Sequence, residues 1–148
     1  IYLANQHPVT IPGVPMLQYL RMIYNARQPE DKKLPVFKFR KFLNEQIEKL
    51  KYPPELIERN LNEGFSGGEK KKTEVLQIFL TQPKFIMLDE VDSGLDLRSI
   101  AEVFSALFQY RKDNPEVTFL IISHYEDVKK ILEPDYQIEL IDKQIKSI

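Results

Sequence analysis

The stretch Phe65-Ser66-Gly67-Gly68-Glu69 decides how this chain is read. It opens a helical segment running from about Ser66 to Gln82, with Val75, Leu76, Phe79 and Leu80 inward and Pro83 as its stop. A helix N-terminus offers free N–H groups and the positive end of a dipole, so it attracts anions. Gly67 and Gly68 let the backbone approach a phosphate with no Cβ in the way. Ser66 can cap the helix and still donate its hydroxyl to a phosphate oxygen. Taken alone, these residues are more often a plain Ser-capped helix after a glycine turn. The next sixty residues of the chain change that balance.

Phe85-Ile86-Met87-Leu88 is a continuous apolar run, which predicts a parallel strand covered on both faces. It ends in Asp89-Glu90, at the strand end where open α/β sheets hold ligands. Asp89 suits Mg²⁺, through water, because Mg²⁺ gives up its waters reluctantly. Glu90 suits orienting or deprotonating an attacking water. Ser93-Gly94-Leu95-Asp96 comes next, with Asp96 as N-cap of a helix whose inner stripe is Ile100, Val103, Phe104, Leu107 and Phe108. Phe119 to Ile122 is a second apolar strand, and His124 stands after it in the same position. An imidazole there can hydrogen-bond a terminal phosphate and the attacking water. Gln6, after a short apolar start, could contact the metal or the water.

Outward from these motifs, Pro8, Pro12 and Pro15 mark a loop. A helix from Met16 buries Leu17, Leu20 and Tyr24. A second amphipathic helix carries Phe39, Phe42, Leu43, Ile47 and Leu50 on its inner stripe, and Pro53-Pro54 starts a short helix through Ile57. Glu126 to Leu132 reads as helix, and Gln137–Ile141 with Ile145–Ile148 as a terminal hairpin. Residues 1–82 are mainly helical and residues 83–148 alternate strand and helix, so the fold class is α/β.

The 148 residues suffice for one domain, and 43% apolar with 29% charged residues is ordinary for a globular protein. A net charge of −1 argues against broad binding to nucleic acid or acidic membranes. Lys70-Lys71-Lys72 on a helix reads as a solvated face. Cysteine is absent, which excludes disulfides and cysteine-held clusters and fits a reducing compartment. No run reaches membrane-spanning length, and the first residues do not resemble a signal peptide. The chain lacks an initiating Met, and it contains no G-x-x-x-x-G-K-[ST] phosphate loop.

Together, and in this order, the motifs resemble the ATP-binding cassette family. Gln6 matches the Q-loop glutamine, Phe65 to Glu69 the signature motif, Phe85 to Glu90 the Walker B strand, Ser93 to Asp96 the D-loop and His124 the switch histidine. Val91 and Asp92 stand where most transport ATPases have Pro and Thr. With Glu69-Lys70-Lys71, Gln6-His7-Pro8 and His124-Tyr125, this is similar to the SufC-like branch, soluble ATPases of the Suf iron–sulfur cluster assembly system.

The resemblance implies the C-terminal part of a cassette nucleotide-binding domain: residues 1–82 as Q-loop and helical subdomain, residues 83–148 as part of the catalytic sheet. It implies ATP and Mg²⁺ as cofactors and a head-to-tail ATPase dimer. Ser66, Gly67, Gly68 and Glu69 would meet the nucleotide held by the partner copy, and Ser93 and Asp96 would cross the interface. Asp89 and Gln6 would attend the metal, Glu90 would be the general base, and His124 and Gln6 would sense the γ-phosphate. It implies SufB- and SufD-like scaffold partners contacted by about Gln6 to Tyr24, no membrane insertion, and a cytoplasmic or organelle-stromal location. The alternative is the ATPase subunit of a membrane transporter. The missing phosphate loop marks the chain as a fragment expected to be inactive alone.

Overall fold

The computed structural model describes residues 1–124, 128, 130, 131, 133–141 and 144–147. Three short parallel strands form one sheet in the order β1 (Tyr2–Ala4), β2 (Phe85–Asp89), β3 (Thr118–Ile122). Residues 5–84, between β1 and β2, hold most of the helical layer: α1 (Met16–Asn25), α2 (Val36–Lys49) and α3 (Gly67–Thr81), with 3-10 turns at Glu30–Lys32 and Pro54–Glu58. Helix α4 (Leu97–Asp113) connects β2 to β3. A separate antiparallel pair, β4 (Ile138–Ile141) and β5 (Gln144–Ser147), forms the terminal hairpin. Most of the expected helix at Glu126 to Leu132, and the hairpin turn at Asp142-Lys143, lie outside the described residues.

The register sorts the sheet's side chains into two faces. Tyr2, Ile86 and Phe119 align in one row, and Ala4, Leu88 and Ile121 in another. These rows pack on Val75 and Ile78 of α3 and on Ile100, Val103, Phe104 and Leu107 of α4. The opposite face carries the row Leu3, Met87, Leu120. Leu3 is 50% exposed and Leu120 51%. Two-sided coverage of the apolar strands is thus corrected: α3 and α4 pack on one face, and the other leaves Leu3 and Leu120 about half exposed.

Helix α3 is buried on both sides. Val75 and Ile78 belong to the sheet core, while Leu76 and Leu80 belong to a second core built from Met16, Leu20, Phe39 and Leu43. The helix that starts at the Ser-Gly-Gly turn is therefore the wall shared by both layers. The Pro-rich loop is tied to the turn before it: Ile11 N–H donates to Leu61 O, Leu61 N–H to Val14 O, and Asn62 Nδ2 to Val9 O at 2.7 Å.

Candidate active site

β2 ends in an unusual backbone. Glu90 has φ +46°, a left-handed conformation that a residue with a Cβ adopts at some cost. Its N–H donates to Ile122 O at 2.9 Å, so the β2–β3 ladder holds it there. Both carboxylate oxygens are engaged. Gln6 Nε2 donates to Oε2 at 2.5 Å, and His124 Nε2 lies 2.8 Å from Oε1. Two residues far apart in the chain, Gln6 and His124, thus converge on the Glu90 carboxylate at the carboxyl ends of three parallel strands. Asp89, the last residue of β2, lies beside them. The Glu90 side chain is 24% exposed and that of His124 81%, so the cluster faces solvent at the sheet rim.

A second cluster forms at the start of α3. Ser66 Oγ accepts from Glu69 N–H, and the Glu69 carboxylate accepts from Ser66 N–H at 2.7 Å, a capping box. The Ser66 hydroxyl keeps its own hydrogen for a further acceptor. Glu69 supports the turn itself. Gly67 and Gly68 lie under the loop before α4: a Cβ on Gly68 would meet Ser99 Oγ at 3.1 Å, and one on Gly67 would stand 3.8 Å from Gly94 O. Asp96 caps α4 through Ser99 N–H at 2.8 Å, and that bond lowers its carboxyl below the usual range. Ser93 is exposed in the turn after Glu90. The sequence-selected residues therefore fall into two groups, Gln6, Asp89, Glu90 and His124 at the strand ends, and Ser66 to Glu69 with Ser93 to Asp96 at two helix starts.

The donor set fits Mg²⁺ in one way only. Among the described residues no group of three or more His, Cys, Asp or Glu could hold a metal ion by itself. Asp89 and the Gln6 amide oxygen, whose Nε2 is turned to Glu90, are oxygen donors of the kind suited to a Mg²⁺ that also binds phosphates and water.

Sequence reasoning missed the link between the two groups. Lys71, read as solvated, is 3% exposed and donates from Nζ to Asn5 O at 2.6 Å. Desolvation lowers its pKa, opposed by Glu74 and more weakly by Asp89 and Asp92. Glu74, 7% exposed, accepts from Asn5 N–H at 3.3 Å, and Lys71 Nζ stands 3.5 Å from its other oxygen. Burial lifts the Glu74 carboxyl to about 7. Lys72 does reach the surface, paired with Glu102. The signal for Lys71 was its position one turn before Glu74 on a helix with apolar residues all round.

No family model matches the chain. It is 40% identical over 147 residues to a probable ATP-dependent transporter of Synechocystis, covering 98% of this chain and 57% of that protein. It is 37% identical over 145 residues to a probable ABC transporter ATP-binding protein of Streptococcus pyogenes, covering 98% of this chain and 56% of that protein. The chain spans about half the length of the curated relatives it matches. Among solved structures it is similar to a dimeric, post-hydrolysis state of the ATP-binding cassette MJ0796 bound to ADP and Pi, with TM-score 0.79, 15% identity, 98% of this chain and 61% of that one. It also resembles the cassette MJ1267, with TM-score 0.68, 22% identity, 97% of this chain and 58% of that one. The parallel sheet with its helical layers is the nucleotide-binding-domain fold of these cassettes, and along nearly its whole length the chain is similar in sequence to ABC-type ATP-binding proteins.

Proposed function

We propose that this chain is the signature and catalytic-carboxylate part of a longer cassette, residues 1–82 its Q-loop and helical part and residues 83–148 its catalytic part, that hydrolyses ATP between two head-to-tail copies. One observation carries the reading: Gln6, Glu90 and His124 meet at the carboxyl ends of the strands, with Asp89 adjacent. Water attacks the γ-phosphorus in line as the bond to the β–γ bridging oxygen breaks, and Glu90 accepts the water's proton. His124 and Gln6 hold Glu90 toward that water and, on substrate binding, reach the γ-phosphate. Asp89 and the Gln6 oxygen would hold Mg²⁺, which supplies charge neutralisation of the phosphates. Ser66, Gly67 and Gly68 present N–H groups and a hydroxyl to the nucleotide of the opposite copy, and Ser93 and Asp96 lie on that interface. The solved cassette MJ0796 is dimeric with ADP and Pi bound, which supports this geometry by analogy of fold.

Phosphate release from the complete cassette tests the reading. Glu90→Gln should lower kcat about hundredfold or more. Full turnover after Glu90→Gln and Ser66→Arg together sinks it. The 148 residues alone lack the G-x-x-x-x-G-K-[ST] nest, so labelled ATP should bind them no better than weakly. Micromolar binding overturns that part.

For the coupled partner, the names of the relatives favour a membrane transporter, with this chain as its ATPase subunit on the cytoplasmic face. Among the described residues no helix is long and apolar enough to cross a membrane. A second reading, coupling to SufB- and SufD-like scaffolds, rests on Val91-Asp92, where Asp92 is buried and bonded to Ser123. Affinity purification of the complete cassette separates the two: a permease supports the first, a pair of soluble scaffold proteins the second.

A further inference from the structure

We propose that Glu74 and Lys71 are positioning residues that set Gln6 against Glu90 by gripping the backbone of Asn5. This inference rests on the hydrolytic reading above and names machinery which that reading does not use. Asn5 is the residue before Gln6, and both of its backbone polar groups are held by α3. Its N–H donates to Glu74 Oε1 at 3.3 Å, and its C=O accepts from Lys71 Nζ at 2.6 Å. The two side chains lie one turn apart on the same face of α3, and both are buried. Tyr2 OH donates to Glu74 O at 3.2 Å, so β1 is fastened to the same turn. Ion pairs this buried are a poor source of net stability, because the desolvation of both charges offsets their attraction. A buried pair spent on one exposed backbone position therefore points to geometry.

What the pair fixes is the exit direction of the chain from β1. Asn5 and Gln6 are exposed, and the two α3 side chains tie the start of this loop to the buried side of that helix. With the peptide before Gln6 held at its carbonyl, the Gln6 amide reaches Glu90 Oε2. The same helix begins at Ser66-Gly67-Gly68. A small rotation of α3 when that turn meets a nucleotide would therefore move Asn5, and with it the group that holds the general base. The clamp connects the two clusters in a contiguous path: the Ser66 turn opens α3, α3 holds Asn5 by hydrogen bonds, Asn5 is joined to Gln6 by the peptide bond, and Gln6 bonds Glu90.

Steady-state ATP hydrolysis by the complete cassette tests this through a double-mutant cycle. Glu74→Leu and Lys71→Met should each lower kcat about tenfold while KM for ATP stays within about twofold, because misplacement of a catalytic group acts on the chemical step. Glu74→Gln keeps an acceptor for Asn5 N–H and should recover most of the loss. In a Gln6→Ala background, Glu74→Leu should have no further effect. Asn5→Pro removes the N–H that Glu74 accepts and leaves α3 untouched, so it carries the same prediction if the core variants do not fold. Independent, additive losses of Glu74→Leu and Gln6→Ala, or wild-type kcat in both Lys71→Met and Asn5→Pro, overturn the clamp. Wild-type turnover in a Glu90→Gln control instead overturns the hydrolytic reading and the clamp with it, so the two failures are told apart.

Discussion

Asp92 Oδ2 accepts a 2.8 Å hydrogen bond from Ser123 Oγ, which ties the loop after β2 to the loop after β3 one residue before His124. Asp92 is 9% exposed, and its Oδ1 has no hydrogen-bond partner among the described residues. Ser123 supplies its hydrogen bond, and Asp92 lies within the electrostatic reach of Lys71. Ser123→Ala removes the bond and should destabilise the complete cassette by about 1–3 kcal/mol, the cost of stranding a buried polar group. The check is denaturant unfolding, with the midpoint lowered and the slope unchanged. The variant should also lower turnover, since His124 loses its anchored neighbour.

Glu74 gives stability a pH dependence of unusual sign. Its folded carboxyl titrates near 7, raised by burial, above the ordinary 4.5. The folded state therefore binds this proton more tightly than the unfolded state does. Between pH 4.5 and 7 the folded form holds more protons, so stability falls as pH rises through that window. Lys71, Asn5 N–H, Tyr2 and Tyr19 are the groups that face it. The effect is at most about 3 kcal/mol. Unfolding free energies at the two ends of that window should differ by less in Glu74→Gln than in the unaltered protein. An identical difference in both counts against the raised carboxyl.

Glu90 separates stability from activity. A left-handed backbone costs a residue with a Cβ on the order of 1 kcal/mol. Glu90→Gly relieves that strain and gives back about 0.5–1 kcal/mol in unfolded-chain entropy, so stability should stay within about 1 kcal/mol of the original. Glu90→Val adds a branched Cβ at φ +46° and should be the less stable of the two. Both should lose hydrolysis equally. Thermal unfolding and phosphate release on the same preparations check the pair.

The positions proposed to carry chemistry stand out in the sequence because they fall at places that local rules identify. Asp89, Glu90 and His124 end apolar runs, and Ser66 and Asp96 precede helical periods with a capping partner three residues on. That is why α3 and α4 begin where the sequence puts them. The Asn5 clamp was not legible. A lysine inside Lys70-Lys71-Lys72 looks solvated by composition, and only tertiary packing on both sides of α3 turns Lys71 inward. The left-handed Glu90 was also hidden, because no glycine or asparagine marks the position. The strand faces misled for a different reason. Apolar side chains on both faces of β2 and β3 indicate what a sheet can bury, while coverage depends on which elements accompany it.

The helical layer has its own core, and Phe39 is at its centre. Phe39 is fully buried and makes tilted ring contacts with Tyr24 at a centroid distance of 5.6 Å and with Phe42 at 6.2 Å. Phe39→Ala should cost about 3–5 kcal/mol, because the ring's neighbours are rigid helices that do not close over the cavity. Ser66-Gly67-Gly68 depends on α3, and α3 is shared with this core through Leu76 and Leu80. Loss of the ring should therefore lower unfolding midpoints and weaken signature-turn function together, in an experiment that leaves Glu90 untouched.

The open face of the sheet sets the solution behaviour of the 148 residues. Leu3, Met87 and Leu120 form an apolar row across all three strands, and Ile122 at the end of β3 is 52% exposed. Among the described residues β1 and β3 are both edges of that sheet, so each offers unpaired backbone groups beside the row. Apolar surface next to an open edge drives pairing between copies. The isolated chain should therefore self-associate, with a light-scattering mass that rises with concentration. Leu120→Lys together with Ile122→Lys places charges on the exposed side of an edge strand without touching the Ile86, Phe119 and Ile121 side that packs on the helices. That double variant should return the scattering mass toward a single chain while keeping its helical content by circular dichroism. A monodisperse monomer from the unaltered chain across the same concentrations contradicts the prediction.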